Sequence, residues 1–516
     1  KKDGTEYVFD TNLTLHQIVE NGLVKYRFEK NQSGQITRIT GRHETSLTFT
    51  YTGEYLTSAV DALGNTVSLT YQEGQLVSVT DPLDKTMSFT YDEEGRLLSV
   101  SDFAGQVYLV NEYDVLGRVI RQNTAGRGES SVAYDEGNRK TEFTDEAGHV
   151  TSYWYDEVGH ITEVDLEGAG IRNRYDENGM LIQQTDALGN CTQMAYDACG
   201  RMNCITYPDG TQEQVSYNDR NLPVEVVNRD GSQSHYQYDE NNNLISAQDE
   251  RGNSSLYTYD EDDNLVSWTD KEENVWNYSY DEAGHLSQAQ DPENHIYRYV
   301  HDALGRLTSY TSPEGRTTSY LYSEAGDLLK IEDPDGAVVL TYDENGNRTG
   351  ITDRRGNQQS FVYNEMGQLS SVTDFLGNQY QFTYDVRGNL IKERNPLGAE
   401  TAYTYDAGGN NTSCTDGNGN AVTYTFDEAR RLTKITDAAG GILQYTYDVM
   451  GRVTAVTDPL AHQTTYTYDA QGRVISQTNA LGHSMSYTYD QAGNLLTRTD
   501  EDGVVTTYTY DGENRL

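Results

Sequence analysis

An aromatic residue followed by Asp, a Gly three residues on, then Arg or Asn and an aliphatic residue recurs along most of this chain. The aromatic slot first falls clearly at Tyr71 and Tyr91, runs through Tyr384, Tyr447 and Tyr468, and ends at Tyr510, with every interval 20, 21 or 22 residues. Self-similarity at such a period marks a repeat array, in which each unit is stabilised mainly by its neighbours. A chain of 516 residues would ordinarily divide into several domains, but the unbroken period makes it one elongated unit.

Residues 464–484, TTYTYDAQGRVISQTNALGHS, show how one unit folds. Thr464, Tyr466 and Tyr468 alternate with Thr465 and Thr467, which is the period of a strand. Asp469 to Gly472 predicts a tight turn, because Asp bonds the backbone ahead of it and Gly takes a positive φ. Val474 to Thr478 is the return strand, and Asn479 to Gly482 the second turn. Each repeat is therefore two antiparallel strands and two turns, an all-β reading that leaves no segment with a helical period. The structural positions are those of the repeated phrase: Tyr91, Asp92, Gly95 and Arg96; Tyr384, Asp385 and Gly388; Tyr447, Asp448, Gly451 and Arg452; Tyr468, Asp469, Gly472 and Arg473. Tandem hairpins make a long sheet, and because sheets twist, a ribbon of about 200 Å is expected to coil on itself. One local point stays open. The aliphatics of a return strand, such as Leu432 and Ile435, would face opposite sides of a regular strand, so either a bulge occurs or both faces are partly covered.

The apolar fraction is 35%, and 41 residues are Tyr, which argues against a thick aliphatic core. Low hydropathy with a net charge of -43 is also the composition of disordered chains, but regularly spaced Tyr, Thr and Val are strand formers. That negative charge repels phosphate backbones and anionic headgroups, so nucleic acid and membrane surfaces are excluded as expected partners. No stretch has the length and apolarity of a membrane span, and residues 1–30 lack the apolar run of a signal peptide. Lys1 and Leu516 both look like cuts through something larger. The regular array, about 22 repeats, is placed at residues 45–516, with 1–44 as divergent lead-in repeats.

The candidates for chemistry are few. Cys191, Cys199 and Cys204 lack the paired C-x2-C spacing of a zinc knuckle, and no His lies among them. His149, His160, His285 and His483 follow a turn Gly, a slot that Arg or Asn usually fills. Asp239, Asn241, Asn243 and Glu250 brush a calcium-loop pattern, but Leu244 stands where that loop needs Gly. No activated nucleophile and no H-E-x-x-H appears. The expectation is no catalytic, cofactor or metal site, and no enzyme activity. Trp154, Trp268 and Trp276 with the abundant Tyr motivate an alternative, a glycan- or receptor-binding surface, which would need an exposed aromatic cluster.

The phrase Y-D-x-x-G-R-L followed by T-D-x-x-G closely resembles the YD repeat of RHS proteins, whose members include bacterial RHS and wall-associated polymorphic toxins, Tc toxin B and C components, and teneurins. The resemblance spans nearly the whole chain. It implies a fold in which the repeats wind into a hollow spiral β-shell. It implies a function in which a secreted or surface-displayed bacterial shell encloses its own C-terminal toxin or effector domain, outside this segment. The second reading it implies is a cell-surface adhesion or carbohydrate-binding module of teneurin type. Departures from the phrase are scattered: Gln72, Asn218, Ser323 and Asn364 replace the turn Asp, and His301 replaces the Tyr, which reads as drift. The family's shell-closing Asp-Pro-x-Gly-Leu sequence has no match, since Asp333-Pro334-Asp335-Gly336 runs into Ala337 and Asp458-Pro459-Leu460 into Ala461.

Overall fold

The computed structural model describes residues 5–10, 14–20, 23–41 and 45–516. Among these the chain forms 49 strands and no helix. Each strand pairs antiparallel with its neighbours in sequence, from Thr5–Phe9 against Leu15–Glu20 to Leu495–Thr499 against Val505–Thr507. The result is one uninterrupted, unclosed meander, and strands touch only their sequence neighbours.

The unit read from residues 464–484 becomes strand Gln463–Tyr468, strand Val474–Thr478 and the start of Ser484–Tyr489. In the turn, Gly472 N–H donates to the Asp469 carbonyl at 3.1 Å and Asp469 N–H to the Arg473 carbonyl at 3.0 Å. Gly472 has φ +86°, a conformation that a side chain with Cβ resists. The Asp469 carboxylate accepts the N–H of Arg473 at 2.9 Å, so the turn is closed by bonds within five residues.

A bulge settles the orientation of the aliphatics. Leu432 pairs with Phe426 and Ile435 with Tyr424, with a register shift between Thr425 and Phe426. Phe426 and Tyr424 are two apart and share a face, so the extra residue at Thr433 brings Leu432 and Ile435 to that same face. The shift recurs in repeat after repeat at the aromatic slot, as at Tyr384, Tyr447, Tyr468 and Tyr489. Outgoing strands accordingly alternate exposed and half-buried residues along Gln463–Tyr468 and Ser484–Tyr489.

On its other side the return strand pairs only as far as Ser476 with Ser486. Beyond that point Tyr489 takes over, its hydroxyl donating to the Val474 carbonyl at 2.8 Å. Tyr91, Tyr384, Tyr447 and Tyr468 make the same bond to the carbonyls of Leu76, Leu369, Leu432 and Val453. The repeated Tyr thus buries a ring on the wall and satisfies a carbonyl that the bulge leaves outside the ladder. Tyr384→Phe is expected to lower the stability of its hairpin by about 1 kcal/mol, because only the Leu369 carbonyl loses its partner. Hydrogen exchange should localise the effect to strands Leu369–Thr373 and Gln379–Tyr384, with the rest of the array unchanged.

There is no thick core: none of the described large side chains is fully buried, and the buried apolar residues are Val19, Val100, Ala289, Ala407 and Ala455. The accessible surface is 29322 Å², against about 19,000 Å² expected for a compact globule of this mass. A single-layer sheet exposing both faces accounts for that excess. It is not flat. Lys85 Nζ donates to the carbonyls of Asp343 at 3.2 Å and Glu344 at 3.0 Å, residues 258 and 259 positions away. Further along, Arg251 reaches the carbonyls of Asp511 and Gly512 at 2.9 and 2.8 Å across 260 and 261 positions. The sheet has therefore coiled round to meet itself after about a dozen repeats, and the chain makes about two windings of a hollow spiral shell.

Candidate functional site

The functional surface of such a wall is the set of bonds that lock repeat to repeat and winding to winding. Two rows of turns edge the sheet, one after the repeated Tyr (the Tyr-Asp row) and one after the return strand (the Thr-Asp row). Within the Tyr-Asp row, Arg473 carries three contacts. Its Nε donates to Asp469 Oδ2 at 2.6 Å, its terminal nitrogen to the Asp490 carbonyl at 3.1 Å, and its guanidinium lies 5.1 Å over the Tyr489 ring. Arg452 does the same with Asp448 at 2.7 Å, the Asp469 carbonyl at 3.1 Å and Tyr468. Arg96 repeats it with Asp92 at 2.7 Å, the Asp114 carbonyl at 3.3 Å and Tyr113. Each Arg fastens its own turn to the next one. Gly95, Gly388 and Gly451 close their turns by donating to Asp92, Asp385 and Asp448.

Burial raises the Asp448 carboxyl, but the N–H groups of Arg452 and Met450 and the Arg452 guanidinium outweigh it and hold it below the ordinary value. The same direction holds at Asp92 and Asp114, with Arg96 and Arg118 as partners. Depressed carboxyls contribute stability above their unfolded value, near 3.9, and that contribution is lost as pH falls through the lower folded values. The array is expected to hold its strands at neutral pH and to melt below about pH 4, with uptake of protons. A circular-dichroism titration with potentiometry checks this, and an unfolding midpoint above pH 5 would contradict it.

Among the described residues the windings meet only through turns. In every such contact the Thr-Asp row of the earlier winding faces the Tyr-Asp row of the later one. Asp102 accepts from Asn345 at 3.0 Å, and Asp145 pairs with Arg387 Nε at 3.0 Å. Asp209 lies 3.7 Å from Arg452, while Asp230 accepts from Gln471 at 3.0 Å and pairs with Arg473 at 3.2 Å. Arg452 and Arg473 therefore serve both the repeat clamp and the seam. The Thr-Asp turn near Ala169 and the Tyr-Asp turns near Arg430 and Met450 leave a groove of about 640 Å³ along this seam.

The other sequence candidates are dispersed. Asp239 accepts the N–H groups of Asn241 and Asn243 at 2.8 and 2.9 Å, an ordinary turn, while Glu250 accepts from Ser234 at 2.9 Å in the opposite row. Strand Leu244–Gln248 separates them, so no calcium loop is assembled. Cys191, Cys204 and Cys414 are half-buried and Cys199 is exposed on a turn, and none of the four forms a disulfide. Trp268 and Trp276 are cross-strand partners and, like Trp154, half-buried in the wall. His160 stacks on Tyr175 at 4.7 Å, His149 lies 3.0 Å from Glu167, and His483 lies 3.6 Å from Glu501. Sequence reasoning missed the Tyr hydroxyl bond and the reach of Arg to the next turn. A signal was present, because Arg and the following Tyr keep a spacing of 16 or 17 residues in Arg96–Tyr113, Arg452–Tyr468 and Arg473–Tyr489.

Comparison with known proteins agrees with this geometry. The teneurin YD-shell family matches residues 220–399 and 295–458. The RHS repeat family matches residues 72–107, 175–212, 447–484, 468–505 and 489–516. Among solved structures, the crystal structure of TcdB2-TccC3 is similar across 100% of this chain at 16% identity, with a TM-score of 0.68. A Tc holotoxin pore of Photorhabdus luminescens is similar across 100% at 15% identity, with a TM-score of 0.67. TcdB2-TccC3 without its hypervariable C-terminal region is similar across 99% at 15% identity and the same TM-score of 0.67. This chain spans only 36% and 37% of the first two, and at such identity the likeness is one of fold. The repeated phrase, the hairpin it builds and both family matches agree: the chain is a protein of RHS/YD repeats, and its fold is similar to that of the Tc toxin shells.

Proposed function

We propose that this chain is a wall segment of a secreted or surface-displayed bacterial shell that encloses a C-terminal toxin or effector domain lying outside this segment. The observation that carries this reading is the seam: a single-layer sheet coils and locks turn upon turn, which makes a barrier rather than a rod. On this reading the array of residues 45–516 is the wall and residues 1–44 lead into it. The repeated Tyr, Asp, Gly and Arg act as architecture, and the wall works by excluding proteases and solvent partners rather than by catalysis. Its partner is then its own cargo domain. The similarity to TcdB2-TccC3 in fold supports this assignment.

Limited proteolysis of the full-length parent protein tests it. Enclosure predicts a C-terminal domain that survives a protease dose sufficient to digest the same domain expressed alone. Equal lability in both forms would sink the idea.

A further inference from the structure

Seven times among the described residues an Arg from one Tyr-Asp turn lies over the Tyr of the next repeat, as at Arg96–Tyr113, Arg306–Tyr322 and Arg431–Tyr447. At another such position both partners are histidine. His285 stands in the Arg slot and His301 in the Tyr slot that follows it, so their rings meet at 5.3 Å between centroids, tilted by 43°. We propose that Asp281, His285 and His301 form a binding site for one divalent transition-metal ion of the zinc class.

The three side chains each offer one ligand atom, and these atoms lie within 4.8 Å of one another. His285 Nδ1 is 3.5 Å from Asp281 Oδ2. Its other nitrogen is held against the next turn: a Cβ at Gly305 would stand 2.9 Å from His285 Nε2, which leaves Nδ1 on the carboxylate side. His301 Nδ1 is buried and has no hydrogen-bond partner. A buried ring nitrogen without a donor or acceptor is costly, and a metal ion is one of the few things that satisfies it.

Two imidazoles and one carboxylate suit a borderline ion such as Zn²⁺, and poorly suit Ca²⁺ or Mg²⁺, which take oxygen. Ligand atoms around tetrahedral zinc stand about 3.3 Å apart, given bonds of about 2.0–2.1 Å, so the cluster need close by only a small movement. Asp281 is exposed, which gives the ion an entry path and leaves a fourth position for water. The ion would join the turn of one repeat to the outgoing strand of the next, the link that Arg and Tyr make elsewhere.

The test uses the full chain, stripped of metal, titrated with Zn²⁺ alone by calorimetry, and with Co²⁺ to read ligand-field absorption. His285→Arg and His301→Tyr restore residues the array already uses in those slots, so both variants should fold. Binding of one Zn²⁺ per chain, weakened at least about tenfold in each variant, with loss of the Co²⁺ bands, is the expected result. His295→Asn is the control, because Asp291, Glu293 and His295 also cluster but His295 Nδ1 already bonds Asp291 at 2.9 Å. No binding by the wild type, unchanged binding by His301→Tyr, or loss in His295→Asn instead would overturn the assignment.

Discussion

Replacing Lys85, Arg251 and Arg387 together with glutamate is expected to unseal the two windings while leaving the strands paired. Each of these cations spans the seam, to the Asp343 and Glu344 carbonyls, to the Asp511 and Gly512 carbonyls, and to Asp145 respectively. The bonds are charge-assisted and half-screened by solvent, so each contributes about 1–2 kcal/mol. Glutamate removes them and sets new negative charge beside carbonyl oxygens and an aspartate. No strand among the described residues pairs across the seam, so far-ultraviolet circular dichroism should be unchanged. Small-angle scattering should instead report a larger radius of gyration, and the expansion should be greater at low salt, where repulsion is less screened. A variant with wild-type dimensions at low salt would mean that the windings are held by something other than these contacts.

The second large effect is expected at Asp448. Its carboxylate accepts the N–H of Met450 at 2.9 Å and of Arg452 at 3.0 Å, and pairs with Arg452 Nε at 2.7 Å. Asp448→Ala removes all three and frees Arg452 from the clamp on Tyr468, for a loss of about 2–3 kcal/mol. Asp448→Asn should cost no more than about 1 kcal/mol, since an amide oxygen still accepts the two N–H groups. The array has made that replacement itself: Asn218 accepts from Arg220 and Leu222 at 2.9 and 3.0 Å, and Asn364 from Met366 and Gln368 at 3.0 and 2.9 Å. Hydrogen exchange along Ile442–Tyr447 and Val453–Thr457 separates the two variants. Equal protection loss in both would show that charge, and not the turn bonds, is what matters there.

Much of the wall was legible in the chain. The turn at Asp469–Gly472, its positive φ at Gly472 and the strands on either side follow from bonds that span five residues, so their cause lies inside each repeat. The bulge was visible only as a conflict, because Leu432 and Ile435 could share a face if one residue slipped, and pairing with Phe426 and Tyr424 decides that it does. His301 looked like a stray substitution until its ring was placed against His285, a neighbour in space 16 residues back.

The sequence by itself determined the repeat, its two strands and two turns, and the family they belong to, because those are set by local bonds and side-chain alternation. Tertiary structure alone decided the number of windings and which turns meet. Asp145 and Arg387 carry no mark of each other in the chain, 242 positions apart. The small twist between adjacent strands, summed over about a dozen repeats, brings the later Tyr-Asp row onto the earlier Thr-Asp row. That sum belongs to the whole sheet and to no single repeat.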